Sequence, residues 1–262
     1  MTSHHKASLL GCASLLALSF GATAANAASL VGLTAHNKLV KIDTAAMTAA
    51  PATAISVPTI VSIDVRPADG QLYGLTAAGQ IVVIDAMSAK ATAGSMLSEK
   101  ATLGARPVVD FNPVADRLRV ITADGTSLRI DVDIGATTVD KPLNYHAADP
   151  HAARKPMVAA GAYTNSSKGA KGSELFNIDG DTGVLVLQNP PNDGVLKTRG
   201  SVSINALADA AMDIDNEAEG KNTAYVVAGG TLYTIDLATG KSTQVGAIKG
   251  IDGKLVDIAV WK

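Results

Sequence analysis

Cysteine and aromatic residues are scarce in this sequence, and both shortages restrict its chemistry. The sole cysteine, Cys12, falls inside an N-terminal segment that we expect to be removed. The remaining chain would then form no disulfide and would offer neither a thiol nucleophile nor a thiolate metal ligand. Aromatic residues make up 3% of the chain, with Trp261 the single tryptophan. Few flat rings remain for stacking on sugars, which argues against a lectin, and we expect Trp261 to serve in packing.

An excess of charge of either sign is also missing. The 22 basic and 24 acidic residues give a formal net charge of −2, so the chain has no basic footprint for nucleic acid or for an anionic membrane. Beyond the N-terminal segment, no apolar run reaches the roughly 18 to 20 residues of a membrane-spanning helix. We expect no nucleic-acid partner, no transmembrane segment and a monomer, whose partner is an unknown ligand or an envelope protein.

The first 27 residues have the pattern of an export signal. Lys6 gives a modest positive start, residues 7–24 are apolar, and residues 25–27 form a small-x-small cleavage site. The interpretation predicts a signal peptide at residues 1–27 and a periplasmic or extracellular domain at residues 28–262. Residues 9–12 also resemble a lipoprotein cleavage box, but they would leave only about five apolar residues, below the roughly 7 to 15 that a signal needs.

Residues 63–85 hold short apolar runs separated by turn residues, and copies of this pattern recur along the chain. β-Branched runs of four to six residues, bounded by Pro and Gly, favour strands over helices. The second half of the pattern recurs at residues 30–43, 118–131, 174–179 (in part) and 224–236. The copies close on Asp43, Asp85, Asp131, Asp179 and Asp236, which lie 42 to 57 residues apart. That spacing is typical of the four-stranded blades of a β-propeller.

A second repeated mark, an aspartate between two apolar residues, predicts the innermost strand of each blade. It occurs at Asp64, Asp110, Asp213 and Asp257. The last copy has no unit after it, while the unit that starts at residue 30 has no such strand before it. We therefore predict an all-β, five-bladed propeller with four-stranded blades, in which residues 255–260 complete the N-terminal blade and close the ring.

Several motifs make the chain similar to a bacterial family, domain of unknown function 4394. They are, in chain order, residues 32–34 with 37–39, 63–67 with 71–75, 110–113 with 116–120, 162–165 and 188–194. The motifs keep the family's order and cover nearly all of the chain after the signal. The resemblance implies an exported, propeller-like bacterial protein of unassigned activity, and it brings no catalytic residues with it.

The repeated aspartates Asp64, Asp110, Asp213 and Asp257 are the main candidate site. Innermost strands line the channel of a propeller, so their carboxylates could form a ring suited to Ca²⁺, which takes six to eight oxygen ligands. Two of them could instead act as acid and base in hydrolysis. The structural alternative, which we favour, is that each accepts hydrogen bonds from a turn or from the next blade. Ala162 stands where blade four should carry its aspartate, which breaks the ring.

Weaker candidates lie in three other segments. Asn177, Asp179 and Asp181 have the spacing of a calcium loop but lack its glutamate, and we expect an ordinary turn like that at residues 236–240. Residues 213–219 are acidic enough to hold a cation, although we expect a solvated loop. His146, His151 and Asp149 form the one histidine cluster after the signal, yet zinc would need another ligand and the segment reads as an irregular loop.

Residues 189–194 form a rigid polar excursion, either a hairpin or a presented binding loop. Two functions from different classes remain open. The first is an exported binding module, which we favour. The second is a metal- or carboxylate-dependent hydrolase, resembling a lactonase, at the channel; it requires at least two converging carboxylates that face solvent and are not bonded to backbone amides.

Overall fold

The structure, a computed structural model, describes residues 1–2, 28–57, 59–218 and 220–262. Nearly all of the predicted signal peptide, with Cys12, lies outside the described residues. The described chain forms five sheets, antiparallel except where residues 144–145 pair in parallel with residues 195–196, and two short 3₁₀ turns, Pro191–Asp193 and Leu207–Asp209. None of the helices in these ranges is long and apolar enough to cross a membrane.

The strands follow the chain blade by blade. Blade one contains β1 (Ser29–Thr34), β2 (Lys38–Asp43), β3 (Thr48–Ala49) and β4 (Thr53–Ala54). Blade two contains β5 (Ile60–Val65), β6 (Leu72–Thr76), β7 (Gln80–Ile84) and β8 (Ala91–Met96). Blade three contains β9 (Val108–Asn112), β10 (Arg117–Ile121), β11 (Ser127–Ile130) and β12 (Thr137–Val139).

Blades four and five complete the ring. Blade four contains β13 (Asn144–Tyr145), β14 (Val158–Tyr163), β15 (Leu175–Asp179), β16 (Val184–Gln188) and β17 (Val195–Ser201). Blade five contains β18 (Ala211–Ala218), β19 (Lys221–Ala228), β20 (Thr231–Ile235) and β21 (Ser242–Ala247). The last strand, β22 (Leu255–Trp261), belongs to blade one.

The C-terminal strand closes the ring as the sequence predicts. β22 pairs antiparallel with β1, with Leu30 opposite Val260 and Gly32 opposite Ile258. It is the innermost strand of its sheet, and the inner strands contact one another in the order β22, β5, β9, β14, β18 and back to β22. The five-bladed propeller is therefore confirmed. Closure leaves no open edge around the channel.

The core lies between the blades. Five apolar clusters each join two neighbouring blades, so every blade buries both of its faces. Gly74 in the middle of β6 shows how tight the packing is, because an added Cβ would lie 2.8 Å from Ile84 Cδ1. Blades four and five share the cluster that contains Ala162, Phe176, Met212 and Ile214.

The closing aspartates form turns after the third strand in four blades. Asp43 Oδ1, for example, accepts hydrogen bonds from the amides of Ala45 (2.8 Å) and Ala46 (2.9 Å). Asp179 makes similar bonds, but it ends β15, the second strand of blade four. The alignment of residues 174–179 with the other closing segments is therefore wrong by one strand. In blade four the turn after the third strand is the proline-containing segment at residues 189–194.

Candidate functional site

Each inner-strand aspartate accepts a backbone hydrogen bond from the next blade. The bonds join Asp257 to the amide of Ile63 (2.9 Å), Asp64 to that of Phe111 (2.6 Å), Asp110 to that of Tyr163 (2.9 Å) and Asp213 to that of Val260 (2.5 Å). Asp64, Asp213 and Asp257 also accept the amide of the following residue. Four of the five blade junctions are bridged in this way. This agrees with the structural alternative, in which each repeated aspartate accepts a hydrogen bond from the next blade.

Among the residues that the structure describes, no carboxylate bridges the junction between blades four and five in this way. Ala162, fully buried, occupies the position of the aspartate in β14. Polar contact between the two blades comes from a pair of asparagines at the end of the strands. The Asn165 amide donates to Asn222 Oδ1 (2.7 Å), and Asn222 Nδ2 donates to Asn165 Oδ1 (3.0 Å).

Three of the four carboxylates come close together. Asp64, Asp110 and Asp213 each offer an oxygen within 4.8 Å of the others, and within the described ranges they are the group of acidic, histidine or cysteine side chains that has the geometry of a metal site. All three are buried, with at most 5% of each residue exposed. Asp257 is not part of this group.

Burial shifts the ionisation of these carboxyl groups. It raises the pKa of Asp64 and Asp110 well above the usual range, and the charge of neighbouring carboxylates raises it further. Burial also raises the pKa of Asp213 to about 6 and that of Asp257 to about 7, against the lowering effect of their hydrogen bonds. A hydrolase would need two carboxylates that face solvent and accept no backbone amide. The carboxylates of this group do not meet that condition.

A basic side chain lies at each end of the channel. Arg106, near the start of β9, donates to the carbonyls of Ala210 (2.9 Å) and Val256 (3.2 Å). At the other end, where the inner strands finish, Lys262 Nζ lies 2.8 Å from Asp215 Oδ1. It also donates to the carbonyl of Asn216. A pocket of about 210 Å³ at this end is lined by Lys262 and by the channel carboxylates Asp64 and Asp213.

The prediction of a solvated loop at residues 213–219 is wrong. Residues 213–218 belong to β18, and Asp215 and Asn216 are buried. The first six residues of β18 are all buried, so the acidic residues at its start belong to an inner strand that the acidic composition concealed. Glu219 lies outside the described residues.

The histidine segment makes local contacts. Its first residues, Asn144–Tyr145, form β13 and pair with β17, so the loop adds a strand to blade four. Asp149 Oδ2 accepts the amide of Thr198 (2.7 Å), and the Tyr145 and His151 rings pack 5.5 Å apart. His146 Nδ1 accepts the amide of Ala148 (3.2 Å). These side chains therefore fasten the segment to blade four.

The other candidates have structural contacts as well. Asp179 Oδ1 accepts the amides of Asp181 and Thr182, both at 2.9 Å, which makes the segment a turn, and Asp181 pairs with Arg154. In the excursion at residues 189–194, the buried Arg119 donates to Asn192 Oδ1 (2.7 Å). Trp261 packs against the apolar cluster between blades one and two.

A groove of about 820 Å³ opens between blades four and five, at the junction that lacks a carboxylate bridge. The asparagine pair and Thr164 line it together with the charged residues Glu174, Arg199 and Asp236. The half-buried Leu237 supplies apolar surface, above the buried side chains of Phe176 and Ile235. Sequence reasoning missed this site, because the repeat does not show how the faces of two neighbouring blades meet, although part of the wall comes from the repeated segments at residues 174–179 and 224–236. The only signal was the loss of the aspartate at Ala162.

The fold and the channel define a five-bladed β-propeller whose inner strands are tied by carboxylates. The chain belongs to the family described as "Domain of unknown function (DUF4394)", which matches residues 38–259. No curated protein matches it.

One solved structure with a similar fold is a structural genomics protein of unknown function from Bacteroides thetaiotaomicron, with 14% sequence identity and a TM-score of 0.53. The similarity covers 90% of this chain and 65% of that one, so this chain spans about two thirds of the other's length. At this identity the likeness shows the fold alone.

Proposed function

We propose that the protein is an exported binding module of the cell envelope or extracellular space, and that its ligand binds in the groove between blades four and five. The groove itself is the observation that carries the proposal. Its volume of about 820 Å³ lies within the range of small-molecule sites, roughly 300 to 1,000 Å³. Its wall combines apolar surface with a few polar and charged groups, as such sites do.

The channel carboxylates support a binding role over a hydrolytic one. Each of the four is bonded to a backbone amide of the neighbouring blade, and Asp64, Asp110 and Asp213 are buried. A general acid or base must reach its substrate within hydrogen-bond distance. Asp110 is buried away from the pocket beside Lys262, and Asp64 and Asp213, which line that pocket, already accept two backbone amides each.

A competing account places a divalent cation, Ca²⁺ by its preference for oxygen ligands, among Asp64, Asp110 and Asp213. The separation of their oxygens, within 4.8 Å, favours it. The amide bonds to the same carboxylates argue against it, because they use oxygens that a cation would need. The two accounts differ in the response of thermal stability to Ca²⁺.

Blocking the groove tests the proposal. Gly172 lines the groove, and an added Cβ there has no atom within 4 Å, so Gly172→Trp should fill the groove without disturbing the fold. Ser203→Trp, at an exposed position on the connection that enters blade five, is the matched control. Immobilised wild type and both variants are equilibrated with one mixture of metabolites and peptides, and retained compounds are identified by mass spectrometry.

We expect at least one compound to be retained by the wild type and by Ser203→Trp but lost from Gly172→Trp. Equal retention by all three proteins, or retention of nothing by the wild type, would contradict a binding site in this groove.

A further inference from the structure

The charged side chains of the groove are left without ionic partners. Arg199, Glu174 and Asp236 form no ion pair with any other residue that the structure describes, and all three are exposed. Asp236 Oδ1 accepts the amides of Thr239 (3.0 Å) and Ala238 (2.9 Å), and these bonds, with a smaller effect from the charge of Lys241, lower the pKa of Asp236. Positively and negatively charged side chains thus border the groove without forming ion pairs with each other.

Arg199 is directed by an irregularity of its strand. It is the extra residue of a β-bulge in β17, since Leu185 pairs with Gly200 and Val186 with Thr198. Blade five carries a bulge at the same place in its fourth strand, where Val245 is the extra residue. Bulges re-aim a side chain relative to the regular strand. The bulge that blades four and five share therefore places the Arg199 guanidinium beside the groove in blade four.

The remaining wall supplies apolar contact and hydrogen bonds. Phe176 and Ile235 are buried among the side chains of the two blades, and Leu237 is half-buried beside them. Asn165 and Asn222, which bond to each other, border the same cavity. The cavity thus offers an apolar surface between groups of opposite charge, with amides nearby.

We propose that this groove binds a short peptide, or a peptide-like zwitterion, through its free carboxylate and its free ammonium group. This inference rests on the proposed function and names its ligand. The planar Arg199 guanidinium binds the carboxylate through two parallel hydrogen bonds. Glu174 and Asp236 accept hydrogen bonds from the ammonium group, and an apolar side chain of the peptide packs on the half-buried Leu237.

Titration calorimetry with four forms of one peptide tests this assignment. The probe is Ala-Leu-Ala with both ends free, with the amino end acetylated, with the carboxyl end amidated, and with both ends blocked. Hydrogen bonds to charged groups contribute about 1.5 to 3 kcal/mol, so we expect each block to weaken binding by about tenfold or more. Equal binding of the free and doubly blocked peptides would overturn the proposal, as would failure of the wild type to bind the free peptide at millimolar concentration.

Two variants assign the ends of the peptide to their partners. Arg199→Val places in this bulge the residue that blade five already carries at its own bulge, so the fold should tolerate it. It should remove the preference for a free carboxyl end and leave the preference for a free amino end. Glu174→Gln should do the reverse, and Arg199→Lys should restore part of the carboxylate preference. An unchanged preference in Arg199→Val would contradict the assignment of that residue.

Failure of this inference differs from failure of the proposed function. If Gly172→Trp binds the free peptide as tightly as the wild type, the groove is not the site and both are wrong. If the wild type retains another class of compound that Gly172→Trp loses, and no peptide binds, only the peptide assignment is wrong.

Discussion

Each inner-strand aspartate brings a carboxyl group into a buried channel, where ionisation is unfavourable. Hydrogen bonds from backbone amides offset part of the desolvation and at the same time fasten one blade to the next. Asp110 shows this balance most simply, because one oxygen accepts the Tyr163 amide across the junction and its pKa is well above the usual range. We infer that the fold requires the hydrogen-bond acceptor of the Asp110 side chain more than its negative charge.

Substitution of Asp110 separates the acceptor from the charge. Asp110→Asn keeps an oxygen for the Tyr163 amide, so its free energy of unfolding should lie within about 1 kcal/mol of the wild type or above it. Asp110→Leu leaves that amide without a partner and should lose about 1 to 3 kcal/mol. Urea unfolding measures both, and equal loss in the two variants would show that the charge itself is needed.

The raised pKa values predict a pH dependence of stability. The pKa values of Asp213 (about 6) and Asp257 (about 7) in the folded protein exceed the unfolded value of about 3.9. The folded state therefore holds protons that the unfolded state has released, and stability is lost as the pH rises from about 4 to about 7. We expect a loss on the order of 1 to 3 kcal/mol per group, seen as a lower Tm at pH 8 than at pH 5.

A matched variant checks the origin of this slope. Asp257→Asn has no proton to release at this position, so its Tm should fall less between pH 5 and pH 8 than that of the wild type. An identical slope in the two proteins would assign the pH dependence to other groups.

At the scale of the strands, blade four shows what the repeat pattern predicts and what it does not. The sequence predicts the inner strand, its missing aspartate and the closure by β22, because these follow from apolar runs of fixed period and parity. It misassigns Asp179, since the segment Asp-Gly-Asp-Thr-Gly that begins there makes the same kind of turn after a second strand as the closing aspartates make after a third.

The groove escapes prediction for a different physical reason. Its wall combines strand ends and a bulge from two blades, and the position of a bulge depends on strand pairing, which local sequence does not encode. The channel carboxylates were predictable as a set from their repeated position. Their hydrogen-bond partners were not predictable, because these are backbone amides on the neighbouring blade and depend on how the blades pack against one another.

A buried arginine should matter more than its half-buried neighbour for the strands of blade three. Arg119 and Arg129 share the carboxylate of Asp140, but only Arg119 is fully buried and reaches Asn192. Arg119→Met should lower the free energy of unfolding by about 1 to 3 kcal/mol, because Ser127 and Asn192 lose a buried hydrogen-bond partner, although Arg129 still pairs with Asp140. Arg129→Met should lose about 1 kcal/mol or less. Comparable losses by urea unfolding would contradict this division.

At the scale of the whole molecule, the ring combines four bridged junctions with one that is not bridged. The bridged junctions bring three carboxylates within 4.8 Å of one another, while the unbridged one borders the groove. Our account assigns the first feature to the scaffold and the second to ligand binding. It requires that the carboxylates hold together through protons and amides, without a bound cation.

The most direct test is thermal unfolding at pH 8, after chelation and again with millimolar Ca²⁺, of the wild type and Asp110→Asn. A ligand that binds only the folded state raises stability by RT ln(1 + [L]/Kd), so an occupied site is visible as a shift in Tm. Our account predicts no Ca²⁺-dependent shift in either protein. A rise in the wild type that Asp110→Asn abolishes would contradict it and make the channel a cation site.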